Sequence, residues 1–282
     1  MATGTKITES ALLLVNQLGC SQDGWTARPL LDDISFQINT REHTAIIGHT
    51  GAGKSTLFAC FLGDKGKLNG LQVKGSVEYN RRNLLVAKAR NDEVWIDGGI
   101  CWIPQEPETA LNPTRTVKAQ LLEMICSRLK SSRATANTLL RANFELTDHL
   151  ALFAELDRYP YQFSGGELQR ILIFHALVGK PGLVLADEPT TALDAENKHL
   201  IMSLLMNLTT ATGATLVVSS HDYDTVRRYC KRFICLENGR LIETGPVSQL
   251  ENRVTDNSLT SLLHDYDQLQ LSQSRDIPAI PG

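Results

Sequence analysis

The sequence predicts an α/β protein built around a mostly parallel sheet, and three observations predict it. Leu183-Val184-Leu185-Ala186 and Thr215-Leu216-Val217-Val218-Ser219 are continuous apolar runs, the pattern of strands buried on both faces. Thr44-Ala45-Ile46-Ile47 is a similar run that stops at Gly48, and residues 54–62 after it read as a helix, so a glycine-rich turn lies between a strand and a helix. Asp187 and Glu188 close one of the apolar runs, and the carboxyl end of a strand is where open α/β sheets bind ligands.

Taken in order, residues 11–15 and 34–38 read as short strands around a polar loop, 19–29. Residues 71–103 are strand-rich, with Gly75, Gly98 and Gly99 as breakers. The chain changes character at Pro104. Leu121, Leu122, Met124 and Ile125, then Leu139 and Leu140 through Leu146, have helical spacing and predict an inserted helical subdomain over about 106–165. Helices are expected at 167–178, 195–209 and 223–230, and Asn238-Gly239 between 233–236 and 240–243 is a hairpin signal. No internal repeat occurs. The expectation is one domain over 1–250 and a partly disordered C-terminal extension over 251–282, loose from Gln268 onward.

With 282 residues, 42% of them hydrophobic and 21% charged, the chain has the composition of a soluble globular protein. It contains no run of about 18 apolar residues that would span a membrane, and Met1-Ala2-Thr3-Gly4-Thr5-Lys6 lacks a signal-peptide layout. A cytosolic chain that meets a membrane only through a partner is expected. The net charge of −3 gives no general attraction to nucleic acid. The basic residues between Lys65 and Arg90 read as a solvated hairpin. Cys20, Cys60, Cys101, Cys126, Cys230 and Cys235 are widely spaced and read as free thiols.

Gly48-His49-Thr50-Gly51-Ala52-Gly53-Lys54-Ser55, with Thr56 beside it, has the form of a phosphate loop. Its glycines let backbone N–H groups approach phosphate oxygens, and the following helix offers its positive end to the same charge. Lys54 is expected at the β- and γ-phosphates and the Ser55 hydroxyl on Mg²⁺. Asp187 is expected to hold Mg²⁺ through water, and Glu188 to orient or deprotonate an attacking water. Gln105 follows an apolar strand at the junction with the helical stretch, where its amide can reach Mg²⁺ or that water. His221 ends another strand, where a neutral imidazole can meet the γ-phosphate. Phe163-Ser164-Gly165-Gly166-Glu167 is a helix start with a capping serine and two glycines that leave N–H donors free for an anion.

In this order these segments resemble the nucleotide-binding subunit of an ATP-binding cassette (ABC) transporter. The resemblance covers roughly residues 12–247. It implies a P-loop NTPase of the ABC type, with a RecA-like core, an antiparallel β subdomain and a helical subdomain, that binds ATP with Mg²⁺. The segment 163–167 resembles the ABC signature, usually Leu-Ser-Gly-Gly-Gln, with Phe163 and Glu167 departing from the usual letters. In the family this surface completes the ATP site of an opposing cassette, so Ser164, Gly165 and Gly166 imply a dimer, with Asp194 at its seam. Glu106-Pro107-Glu108-Thr109-Ala110-Leu111-Asn112-Pro113, Tyr159-Pro160-Tyr161-Gln162 and the run 186–194 are similar to the oligopeptide, dipeptide and nickel importer group. That likeness implies a second, different ATPase subunit, transmembrane permease subunits above the pair, indirectly a solute-binding protein, and a peripheral place on the cytoplasmic face of the cell (inner) membrane. Family members stack adenine on an upstream aromatic ring. Here Trp25 is the available ring, either as that stack or as an anchor of its own loop. Two other readings of function stand beside the importer: a soluble ABC-type ATPase in DNA repair or translation, and a regulatory cassette without turnover.

Overall fold

The computed structural model describes residues 11–22, 25, 28–64, 66–85, 99–191 and 193–251. The extension beyond Glu251 and the part of the expected strand-rich stretch at 86–98, including Gly98, lie outside the described residues. In chain order the strands are β1 Ala11–Ser21, β2 Leu31–Asn39, β3 Thr44–Ile47, β4 Gln72–Tyr79, β5 Arg82–Asn83, β6 Ile100–Ile103, β7 Leu183–Asp187, β8 Thr215–Ser220, β9 Arg232–Glu237 and β10 Arg240–Pro246. The helices are α1 Lys54–Leu62, α2 Val117–Leu129, α3 Arg133–Leu146, α4 Leu150–Ala154, α5 Gly165–Ala176, α6 Ala195–Thr212, α7 Tyr223–Tyr229 and α8 Ser248–Glu251.

The larger sheet runs β10-β9-β3-β8-β7-β6, parallel from β9 to β6 with β10 antiparallel at its edge. Its apolar runs are continuous because each strand serves two cores. Ala45, Val184, Ala186, Leu216 and Val218 face one core, with α5 and α6, while Ile46, Leu183, Leu185 and Val217 face the other, with α1 and β1–β2. Alternate side chains point to opposite faces, so apolar residues are needed on both. Helix α1 lies in the second core with Leu57, Phe58, Ala59, Cys60 and Phe61 all buried, as a helix enclosed on all sides requires. It ends at Gly63, whose φ of 57° lets its N–H return to the Cys60 carbonyl.

The second sheet, β2-β1-β4-β5, is antiparallel. Here the structure corrects the sequence reading twice. Strand β1 continues to Ser21 where a loop was expected from Gly19, and Gly75 lies inside β4 instead of breaking it. One bulge explains both. The β1–β4 register shifts between Asn16 and Gly19, Gln17 takes a φ of 48°, and Gly75 opposite takes 83°. A Cβ on Gly75 would stand 2.3 Å from the Gln17 carbonyl oxygen, so the bulge needs glycine there.

Helices α2 and α3 pack through Leu121, Ile125, Leu140 and Phe144, and the Phe144 ring lies 4.2 Å from that of Phe174 on α5. This contact ties the helical layer to the larger sheet. All six cysteines are free, five of them buried and Cys126 half-buried, and burial pushes the Cys101, Cys230 and Cys235 thiols up to about 12. Among the described residues no helix is long and apolar enough to cross a membrane.

Candidate active site

Strand β3 delivers the chain to Gly48, whose backbone runs against β9. A Cβ there would stand 2.4 Å from the Leu236 carbonyl oxygen, so no other residue fits. The loop then closes on itself, with Ala52 N–H donating to His49 O at 3.0 Å, and is held from outside by Gly239 N–H on Ala52 O at 3.1 Å. Lys54 opens α1 and bends back over the loop. Its buried ammonium donates to the carbonyls of Gly48 at 2.7 Å and His49 at 3.2 Å. Thr50, Gly51, Gly53, Lys54, Ser55 and Thr56 line one side of a cleft of about 450 Å³, and Gln105 and Glu188 close it on another.

Glu188 gathers the remaining groups. Its Oε1 meets the Lys54 ammonium at 3.2 Å. Its Oε2 accepts from Thr191 Oγ1 at 3.0 Å and Gln105 Nε2 at 3.4 Å, and faces His221 Nδ1 at 3.5 Å. The backbone carries strain to achieve this: Glu188 has a φ of 41°, left-handed for a residue with a Cβ, a conformation costing about 1–3 kcal/mol. Two bonds hold it there, Glu188 N–H on Ser219 Oγ at 2.8 Å and Thr191 N–H on Glu188 O at 3.1 Å. The same Ser219 hydroxyl donates to Asp187 Oδ1 at 2.7 Å, so β8 positions both Asp187 at the end of β7 and Glu188 after it. The His221 hydrogen bond, then the Lys54 charge, hold the Glu188 carboxyl down at about 2, well below the usual carboxylate range. In return the Glu188 hydrogen bond raises the His221 pKa.

The signature segment is built differently. Ser164 caps α5 in a reciprocal box: Glu167 N–H donates to Ser164 Oγ at 3.3 Å, and Glu167 Oε2 accepts from Ser164 N–H and from its hydroxyl, both at 2.8 Å. The sequence expectation started this helix at 167. The cap moves the start to Gly165, because the two glycines form the first turn. Asp194 caps α6 with its carboxylate alone, accepting from Asn197 N–H at 2.9 Å and Nδ2 at 2.7 Å. Neither Ser164, Gly166 nor Asp194 lines the cleft beside Lys54. Gly165 borders a separate cavity of about 340 Å³, with Gln105 and Thr191 on its wall.

Residues 31–191 match the family described as ABC transporter. The chain belongs to the ABC transporter family. Over 252 residues it is 31% identical to a probable peptide ABC transporter ATP-binding protein, y4tR, of Sinorhizobium fredii, covering 89% of this chain and 75% of the relative. It is 30% identical to CntD, the ATP-binding protein of a metal-staphylopine import system of Staphylococcus aureus, covering 83% and 85% of the two chains. Among solved structures it is similar to cbiO1 of Clostridium perfringens, part of the ABC transporter complex cbiONQ. That likeness has a TM-score of 0.71 at 23% identity and covers 92% of this chain and all of the other, so it bears on the fold. The protein is an ABC cassette that binds ATP and hydrolyses it to drive transport.

Within this cassette, Lys54, Gln105, Asp187, Glu188 and His221 come together at the strand ends, while Trp25 stands apart. The Lys74 ammonium lies 4.2 Å above the Trp25 ring, and the ring packs so near Gly19 that a Cβ there would come within 2.7 Å of it. Trp25 is not among the cleft residues, whereas Arg28, Pro29 and Leu30 are. Sequence reasoning missed three contributors. Ser219 had a signal, since it precedes His221 at a strand end. Thr191 had one in its place three residues after Glu188. Arg28 had none, because only the fold brings residues 28–30 to the phosphate loop.

Proposed function

We propose that this cassette powers import of peptides or of a related small solute such as a metal chelate. In this reading it sits on the cytoplasmic face of a membrane, beside a second cassette and beneath permease subunits. The observation that carries the catalytic half is the convergence of Lys54, Gln105, Thr191 and His221 on Glu188. The importer half rests on similarity to peptide and metal-chelate import ATPases.

The chemistry follows from the network. The β- and γ-phosphates of ATP compete with Glu188 for the Lys54 ammonium, so nucleotide binding frees one carboxylate oxygen. Glu188, kept ionised by His221, then accepts a hydrogen bond from the attacking water and aims it along the cleft. His221, released in part from Glu188, turns its N–H toward developing charge on the γ-phosphate. Ser55, Asp187 and Gln105 offer hydroxyl, carboxylate and amide oxygens, a donor set that suits Mg²⁺. Asp187 Oδ1 is occupied by the Ser219 hydroxyl, which fixes how its other oxygen points. Bound there, Mg²⁺ would neutralise phosphate charge.

Coupling runs through the loop after Gln105. Asn112 N–H donates to Gln120 Oε1 at 2.7 Å, and Gln120 Nε2 donates back to Asn112 O and Arg115 O, both at 3.0 Å. Buried Gln120 thereby makes the loop rigid with α2. Beside it lies a groove of about 680 Å³ with Trp102, Ala110, Met124 and Arg128 on its walls. A short cytoplasmic helix of the permease fits this groove, so movement of Gln105 with ATP pushes on the permease. Substitution of Leu111, Asn112 or Pro113 is expected to lower transport, or its stimulation of ATPase activity, more than ATP binding. Normal transport in these variants, or the failure of any permease to copurify, contradicts the reading.

A further inference from the structure

His221 leaves β8 with 60% of its side chain exposed, so packing in the core does not fix its ring. The turn around it does. Asp222 N–H donates to Ser220 Oγ at 3.0 Å, closing the chain on either side of His221. Asp222 then caps α7, its Oδ1 accepting from Asp224 N–H at 3.1 Å and Thr225 N–H at 3.3 Å. Its other oxygen, Oδ2, faces the Lys198 ammonium of α6 at 3.5 Å. Asp222 is buried, and Lys198 is half-buried. The backbone of Lys198 belongs to the first turn of α6, where its N–H donates to Asp194 O at 2.9 Å. Lys198, Asp222 and His221 also share, with Glu188 and Thr191, the wall of one cavity of about 270 Å³. The Glu188 hydrogen bond and, less strongly, the Asp222 charge raise the His221 pKa, so the carboxylate that Lys198 answers is one that acts on His221.

We propose that Lys198 is a positioning residue for ATP hydrolysis: by pairing with Asp222 it holds the turn that carries His221 and keeps the Asp222 carboxylate from drawing the imidazole off the γ-phosphate. The proposal rests on the reading that His221 meets the γ-phosphate during turnover. A buried carboxylate that loses its only cation is costly, and it relaxes toward the nearest donor. Here a near donor is the His221 ring, which two acids would then hold against the phosphate. With Lys198 in place, Asp222 is neutralised from α6, and its two oxygens are divided between α6 and α7. His221 is left with Glu188 alone as its acidic partner. Lys198 itself acts through Asp222 and not on the nucleotide, so its loss lowers the rate of the chemical step without loosening ATP.

The test is a double-mutant cycle on steady-state ATP hydrolysis by the assembled complex, with Lys198→Met, His221→Gln and the two combined. Lys198→Met keeps the stem and removes the charge. It is expected to lower kcat roughly threefold to tenfold with little change in the KM for ATP. Lys198→Arg keeps the charge and should restore most of the rate. In the His221→Gln background, Lys198→Met should cost less than about twofold more, because the group it positions is gone. A loss that multiplies with that of His221→Gln would make Lys198 a general structural contact and overturn the proposal. So would a risen KM, which makes Lys198 a nucleotide contact, an unchanged kcat in Lys198→Met, or no recovery in Lys198→Arg. Wild-type turnover in His221→Gln overturns the His221 reading and this proposal together, whereas a strong His221→Gln defect with a multiplicative Lys198→Met loss overturns the proposal alone.

Discussion

The phosphate-loop side and the signature side of this cassette are both helix starts, yet they are finished in opposite ways. At the first, buried Lys54 pairs with half-buried Glu188, which is joined by Thr191 of its own segment and by Gln105 and His221 from two others. At the second, the exposed Ser164 hydroxyl bonds Glu167 of its own first turn, and a Cβ on Gly166 would meet nothing within 4 Å. One side is a network closed within the chain. The other is an exposed helix start whose side-chain bonds close on its own first turn. The difference lies in what each side leaves open: the chain holds Glu188 in place through its own residues, while the signature segment faces outward.

The comparison breaks most visibly at Glu188. Glu188→Gln keeps the shape and the Thr191 contact but loses the negative charge. Turnover is expected to fall about 10²- to 10⁴-fold with ATP binding retained. Lys54→Ala is expected to weaken ATP about 10- to 100-fold, since a charge-assisted phosphate contact is lost. Steady-state ATPase assays and calorimetry of the assembled complex check both, and wild-type turnover in Glu188→Gln contradicts the assignment. Gln105→Ala comes next. The Gln105–Glu188 hydrogen bond is long, at 3.4 Å, so binding should change little while turnover drops by about tenfold. Loss of binding without loss of turnover would remove Gln105 from its assigned role.

The smallest effect is on pH dependence, and its sign is fixed by the pair Glu188–His221. The raised His221 pKa means that its contribution is complete below the ordinary imidazole value of about 6.5 and is lost as pH rises through the raised value. The depressed Glu188 pKa means that its contribution is present above the ordinary carboxylate value and is lost as pH falls toward about 2. The Tm difference between wild type and His221→Gln is therefore expected to be larger at about pH 5.5 than at about pH 8.5. A difference that grows with pH contradicts the pairing.

Much of both sides is legible from local sequence. The phosphate loop, its helix at 54–62, the acids at 187–188 and the Asn238-Gly239 turn follow from local rules: an apolar run, a glycine pattern, a strand end, a hairpin dipeptide. The signature cap was equally local, and Ser164 with Glu167 three residues on is visible as a capping box. What sequence did not reveal depends on contacts between distant segments. The extension of β1 to Ser21 needs the bulge in which Gln17 meets Gly75, 58 positions away in the chain by the difference of their numbers. The Lys54–Glu188 pair joins the residue after β7 to the start of α1, with Glu188 at a positive φ that no local pattern announces. The brace of Gln120 on Asn112 is likewise a product of packing, because a glutamine within a helix carries no positional signal.

The most direct measurement is ATP-dependent crosslinking between the two sides. A cysteine in place of Ser164 is paired with a cysteine placed in the phosphate loop of the partner cassette, in the assembled complex carrying Glu188→Gln so that ATP is retained. The account predicts a short-range crosslink that forms with ATP and is lost with ADP or without nucleotide. A crosslink that is indifferent to nucleotide, or absent with ATP bound, would contradict a site shared between two cassettes.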